Sequence, residues 1–447
     1  MLSPYSVVES VSPIHPVELP ARDGGVVNLT ELVEKNVPEA VSGHYYTNKY
    51  YIGSGDVQTV LAGQEYAEEY PVWYGRRFFV HDDGSQFSVD YCLDINSRSP
   101  ENWSEDVKYI PEDDMPRLPL RTRILRPEEV DKLDSSLERR PLVISVHGLT
   151  GGSHENYIRA AFTEIHNIVP DAELVVITSR GCNRTKITTP QLFNACWTED
   201  LRQLVKYVTQ HQPQRPVFLQ GFSLGASIIA NYLGQEGTNI PSQVKSAIVV
   251  ANPWDLKLCS VHLHSRLLGR KLYLKTMTSN LLRLVKNNRK VLSRDARYLA
   301  TEPKLKTVKT MIDFDNLMTG PLFGFSGASE YYREASSVRR LKNISIPTLA
   351  LSAKDDPVSG DLCVPYTEAQ HNPHVYLSST THGGHLGWFG QTGPRWFATV
   401  IAKYLDAYLA TVDLSKEPVQ QPSDTNDFFK DGKFQVKTAG IVSKPLN

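Results

Sequence analysis

The chain has 447 residues, 40% hydrophobic and 22% charged, an ordinary balance for a globular protein large enough to bury a sizeable core. Its 48 Lys and Arg against 49 Asp and Glu give a formal net charge of −1, which excludes a global attraction to nucleic acid or anionic membranes. Five scattered cysteines (Cys92, Cys182, Cys196, Cys259 and Cys363) without a C-x-x-C exclude a disulfide framework and a zinc site, and point to a reducing compartment.

The N-terminus has no basic segment followed by an apolar run, so no signal peptide is expected, and no run approaches the roughly 18 apolar residues of a membrane span. An intracellular, cytoplasmic protein is expected. Residues 1–43 lack periodicity and read as an extended arm over the surface. Two strands are expected on either side of Asp82-Asp83-Gly84, a hairpin signal, and the polar stretch from about 95 to 140 reads as loop.

A different rhythm follows. "PLVISVHG" (141–148), "AELVVITSRG" (172–181), "RPVFLQGFS" and "VKSAIVVANP" (244–253) are short, nearly continuous apolar runs, and helical patterns separate them. Strands alternating with helices mean an α/β fold, a mostly parallel sheet with helices on both faces. The alternation pauses after Asn252 and resumes at "SIPTLALSAKDD" (345–356) and "NPHVYLSST" (372–380). The interval, about 253–340, reads as a helical cap inserted into a main domain spanning 44–411. Its segment 261–310 holds 13 Lys and Arg against Asp295 and Glu302. That face is either simply solvated or a cationic surface for a membrane or lipid droplet, with Leu267, Leu268, Leu281, Leu282 and Leu284 lining an acyl pocket. A final helix, "WFATVIAKYLDAYLATV", precedes a polar tail, 412–447, expected to be disordered.

Within this frame, "QGFSLGA" (220–226) places Ser223 between a buried strand and a helix, with Gly221 and Gly225 flanking it. Small flanking residues let strand and helix approach while the serine occupies a strained turn, the geometry of a nucleophile elbow. A serine hydroxyl needs a base, and the base needs an orienting carboxylate. Asp355 and Asp356 follow one later strand, and His382 and His385 follow the next. Open α/β sheets place their sites at these C-terminal strand ends. The developing oxyanion needs backbone donors. The Leu224 N–H at the helix start and the Leu149 N–H in "VHGLTGG" (146–152) are the expected pair, with Thr150 as the neighbour of Leu149. His147 reads as a structural hydrogen bonder, and Cys182 and Cys196 as packed small side chains. Trp197 and Trp254 read as core or pocket wall, and the H-x4-D string from His166 to Asp171 as chance.

With these elements in place the chain resembles a branch of the α/β hydrolases that holds the fungal medium-chain fatty-acid ethyl ester synthase/esterases, the related fungal monoacylglycerol lipase, and bacterial and animal relatives. The resemblance runs from about 50 to 410 and rests on "HGLTGGSHENYIR", "GFSLGAS", "SRGC" (179–182), "TTPQLFNACWTED" (188–200), "FDNLMTGPLFGF" (314–325), "AKDDPV" and "GGHLGWF". It implies an α/β-hydrolase fold with Ser223 as nucleophile, Asp356 as triad acid and His385 as base. It also implies a fatty acyl ester or acyl-CoA as acyl donor, an acyl-serine intermediate released to water or a small alcohol, and no metal or organic cofactor. The alternative is a catalytically silent lipid-binding or scaffolding protein, which such folds become by losing a triad member. One motif departs from the branch: relatives usually carry N-G-H-L-Q-T, and this chain has Ser54-Gly55-Asp56-Val57-Gln58-Thr59.

Overall fold

The computed structural model describes residues 4–49, 53–64, 69–97 and 118–418, with the backbone of four two-residue strands between 429 and 442. Eleven strands form one sheet among the described residues. They are β1 (Tyr5–Val11), β2 (Tyr45–Thr47), β3 (Val72–Val80), β4 (Gln86–Ile95), β5 (Thr122–Ile124), β6 (Leu142–Val146), β7 (Glu173–Thr178), β8 (Val217–Phe222), β9 (Val244–Val250), β10 (Thr348–Ala353) and β11 (Val375–Thr380). Their spatial order is β2-β1-β11-β10-β9-β8-β6-β7-β4-β3-β5. The block from β11 to β7 is parallel throughout, and β4 and β1 join its two sides antiparallel.

Every residue of β6, β7, β8, β10 and β11 is buried, as it must be where helices cover both faces. Alternation divides the side chains between two cores. Val143, Phe218, Ile248 and Leu349 pack with helices Asn156–Ile168 and Trp396–Thr411. Leu142, Ile144, Leu219 and Ala247 pack with helices Glu199–His211 and Leu224–Glu236. Between β9 and β10 lies the cap, from helix Leu256–Ser265 through helix Leu274–Asn287 to the short helix Val338–Leu341. It carries its own apolar cluster around Leu281, Leu284, Phe314 and Met318.

The N-terminal segment departs from the expected surface arm. Residues 5–11 are a strand, with Val8 opposite Thr380 on β11, and Leu29–Asn36 is a helix whose Leu29, Leu32 and Val33 are fully buried. The period-two pattern was hidden because its inward positions include Ser6, buried by hydrogen bonding to the loop after β11. Within the stretch expected as loop, Pro127–Leu133 is a short helix with a capping box, and residues 98–117 lie outside the described residues. In the tail, Phe429–Lys430 pairs with Lys433–Phe434 and Lys437–Thr438 with Ile441–Val442, and the other residues beyond 418 lie outside the described ones.

Candidate active site

At the end of β8, Ser223 has φ 53° and ψ −119°, a left-handed conformation that costs a non-glycine residue about 1–3 kcal/mol and persists only when its surroundings dictate it. They do so here. The Ser223 N–H donates to the Val250 carbonyl at 2.9 Å. A Cβ on Gly221 would stand 2.5 Å from the Gly225 carbonyl oxygen, and one on Gly225 would stand 2.1 Å from the Val146 carbonyl oxygen. Neither position admits a side chain while strand, turn and helix keep this spacing.

His385 Nε2 lies 2.7 Å from Ser223 Oγ, and His385 Nδ1 lies 2.8 Å from Asp356 Oδ2. Asp356 is 2% exposed, and its Oδ1 accepts the Val358 and Ser359 N–H groups while Oδ2 accepts the Ser359 hydroxyl at 2.6 Å. Burial works to raise this carboxyl. It is outweighed by the adjacent His385 and by hydrogen bonds from His385 and Ser359, so Asp356 sits below the ordinary carboxylate range. An ionised carboxylate only accepts, so His385 carries its proton on Nδ1 and turns the Nε2 lone pair to the serine hydroxyl.

The other acid and histidine form a separate pair. Asp355 Oδ1 accepts the Gly383 and Gly384 N–H groups at 2.9 Å each, and Oδ2 lies 3.2 Å from His382 Nδ1. They fold the glycine-rich loop that presents His385. Three residues that sequence reasoning left without a role hold the same loop. The Thr59 hydroxyl oxygen accepts the His385 N–H at 2.8 Å, and the Gln58 amide oxygen accepts the Phe389 N–H at 2.7 Å. Gly55 abuts Asp355, where a Cβ would stand 1.9 Å from the carbonyl oxygen. The divergent motif thus forms helix Gly55–Ala62 against the histidine loop. Its Asp56 faces the cap, ion-paired to Arg266 at 2.7 Å and accepting the Tyr273 hydroxyl at 2.9 Å.

The loop after β6 brings the second set of donors. A Cβ on Gly148 would lie 3.4 Å from Ser223 Cβ, so this backbone runs directly beside the serine. The Gly148 N–H donates to the Tyr157 hydroxyl, and among the described residues the Leu149 and Leu224 N–H groups have no protein acceptor. Behind the loop, the Ser153 hydroxyl donates to Asp90 at 2.5 Å, and Asp90 is paired with the fully buried Arg76. His147 Nε2 accepts the Ser179 N–H, and burial lowers its imidazole to about 4, so it is neutral and structural. Trp254 is core, Cys182 is buried, and His166 ends helix Asn156–Ile168 as an exposed residue.

Leu149 and Leu224 open onto a cavity whose lining is mostly apolar and includes Leu281, Leu284, Phe314 and Met318. Leu282 packs beside this lining, whereas Leu267 and Leu268 do not join it: they are 58% and 45% exposed on the cap's outer corner. Two adjacent leucines carry no periodicity, so the sequence assigns them to neither face.

One wall residue is a buried carboxylate. Asp315 begins a π-helical turn, Asp315–Thr319, and accepts hydrogen bonds from Thr319 Oγ1 at 2.6 Å and the Tyr332 hydroxyl at 2.7 Å. Burial raises its carboxyl to about 6 against the lowering effect of these donors. The folded chain therefore holds this proton more tightly than the unfolded chain, and stability falls as pH rises from about 4 to about 6. At 1.36 kcal/mol per pH unit, ionised Asp315 costs the fold on the order of 3 kcal/mol. Asp315→Asn is expected to gain thermal stability relative to the parent near pH 8 and to lose that advantage near pH 4, read from melting curves at the two pH values.

A serine on a strained turn after β8, hydrogen-bonded to a histidine after β11 that is in turn paired with an aspartate after β10, is the arrangement of an α/β hydrolase. Residues 141–390 match the alpha/beta hydrolase fold family, and the chain belongs to it. Among its relatives, the monoacylglycerol lipase of Saccharomyces cerevisiae is 35% identical over 420 residues, covering 91% of this chain and 92% of its own. The medium-chain fatty acid ethyl ester synthase/esterase 2 of the same yeast is 32% identical over 411 residues, covering 86% and 90%. An abhydrolase domain-containing protein of Dictyostelium discoideum is 32% identical over 275 residues, covering 61% and 68%. Among the described residues no helix is long and apolar enough to cross a membrane, and no group of three or more His, Cys, Asp or Glu is placed to hold a metal ion.

Proposed function

We propose that the protein is a serine esterase acting on fatty acyl esters, monoacylglycerols or medium-chain ethyl esters. The observation that carries this reading is the hydrogen-bonded line Asp356–His385–Ser223 beside a mostly apolar cavity. Ser223 Oγ attacks the ester carbonyl as His385 Nε2 takes its proton, and the carbonyl oxygen becomes an anion held by the Leu149 and Leu224 N–H groups. Each such donor contributes about 2.7–4 kcal/mol. Collapse breaks the bond to the alcohol, which leaves with the proton from His385, and the acyl group stays on Ser223. Water, activated by His385 in turn, releases the acid, while a small alcohol in its place forms a new ester. The complete triad and the names of the yeast relatives support an enzyme over a silent scaffold.

A substrate panel tests this: monoacylglycerols, ethyl esters, and acyl-CoA with ethanol, each over several chain lengths, with Ser223→Ala as the blank. Turnover of none of them above the blank removes the proposal. Thr59 offers a finer check. Thr59→Val keeps the volume but removes the acceptor of the His385 N–H, and is expected to lower kcat by about 10- to 100-fold with KM little changed. Thr59→Ser should restore it.

A further inference from the structure

The outer face of the cap differs from the rest of the surface. From 256 to 294 the chain holds ten Lys and Arg and no Asp or Glu. Five large apolar side chains stand exposed within fifteen positions of that stretch: Leu258, Val261, Leu267, Leu268 and Leu272. Single exposed leucines are common on any surface, but five on one corner interleaved with Lys257, Arg270, Lys271 and Lys275 are not what a merely solvated face carries. The corner is extended by the turn Asp361–Cys363, which packs on helix Leu256–Ser265 and holds Leu362 at 83% exposure. The acidic groups at its edge are already engaged: Asp255 caps that helix, Asp56 is paired with Arg266, and Asp361 accepts the Tyr366 hydroxyl.

We propose that this face is a docking surface for an anionic phospholipid bilayer. The charge complementarity is one-sided enough to name the partner. Lysine and arginine heads meet the lipid phosphates and carboxylates while their stems lie along the interface, and the leucines enter the acyl boundary between them. The same elements form the cavity. Helix Leu256–Ser265 turns Leu256 inward to the cavity and Leu258 and Val261 outward, and helix Leu274–Asn287 turns Leu281 and Leu284 inward and Arg283 and Lys286 outward. An ester leaving the bilayer therefore meets the wall of the cavity first. That route rests on the esterase reading, whereas the docking itself does not.

The full chain is mixed with phosphatidylcholine vesicles with and without phosphatidylserine, and bound protein is measured by flotation at rising salt. Binding is expected to require phosphatidylserine and to weaken with salt. Leu267→Ser/Leu268→Ser/Leu272→Ser and Arg270→Glu/Lys271→Glu/Lys275→Glu should each lower it more than tenfold. Both variants should keep parental turnover of a short, soluble ester, which also reports that they fold. Equal binding to pure phosphatidylcholine, unchanged binding by either triple variant, adsorption to a triolein emulsion alone, or a stable dimer that masks the corner would each overturn the proposal. Turnover retained in Ser223→Ala would instead strike the esterase reading and leave the vesicle result standing.

Discussion

Ser223→Ala is expected to lower kcat by on the order of 10⁶-fold and to abolish covalent labelling by a fluorophosphonate probe. The size follows from the geometry. Without Oγ, the lone pair of His385 Nε2, 2.7 Å away in the parent, has no hydroxyl to activate, and no acyl-enzyme forms. The Leu149 and Leu224 N–H groups and the cavity remain, so the expected residue of activity is what binding and polarisation give to attack by free water. A companion substitution separates chemistry from folding. Ser223 pays for its left-handed backbone, which glycine adopts without strain, so Ser223→Gly should be equally inactive yet melt at the parental temperature or above. Labelling that persists in either variant places the nucleophile elsewhere.

How far the sequence carried depended on whether a constraint was local. The elbow was legible because its requirements are contiguous in the chain: two glycines without room for a Cβ and a serine within five residues, a buried strand directly before and a helix directly after. The order of serine, acid and histidine along the chain was legible for the same reason, each following its own apolar run. Strand periodicity could not separate Asp355 from Asp356 or His382 from His385, since both members of each pair follow the same strand. Resemblance to relatives singled out Asp356 and His385, and the geometry brings those two to Ser223. The supports of the site left no local signal. Thr59 meets His385 across 326 positions, Ser6 meets His382 across 376, and Asp90 meets Ser153 across 63. Each is a small polar residue whose burial is set by its distant partner, so hydropathy marks none of them. The cap corner failed for another reason. Leu267 and Leu268 are adjacent and carry no helical periodicity, so nothing local decides between cavity wall and surface, and in the fold both stand exposed.

The adjacent carboxylates give the second large contrast. Asp356→Asn is expected to lower kcat by about 10⁴-fold, whereas Asp355→Asn should change it by less than about tenfold. In the parent, Asp356 Oδ1 accepts two backbone N–H groups, from Val358 and Ser359, and Oδ2 faces His385. An asparagine satisfies those N–H groups only by turning its carbonyl oxygen to them, which points its NH₂ at His385 Nδ1. A donor there makes Nδ1 the acceptor and moves the ring proton to Nε2, so the imidazole meets Ser223 with an N–H and cannot take its proton. At Asp355 the same rotation is harmless to the reaction. The amide oxygen still accepts from Gly383 and Gly384, and the NH₂ meets His382, which does not touch Ser223. Its loss should register as stability, on the order of 1 kcal/mol for one weakened contact between two partly buried side chains. Steady-state kcat and melting temperature for both variants decide the matter. Comparable kcat losses, or a larger one in Asp355→Asn, would reverse the assignment of acid and loop anchor.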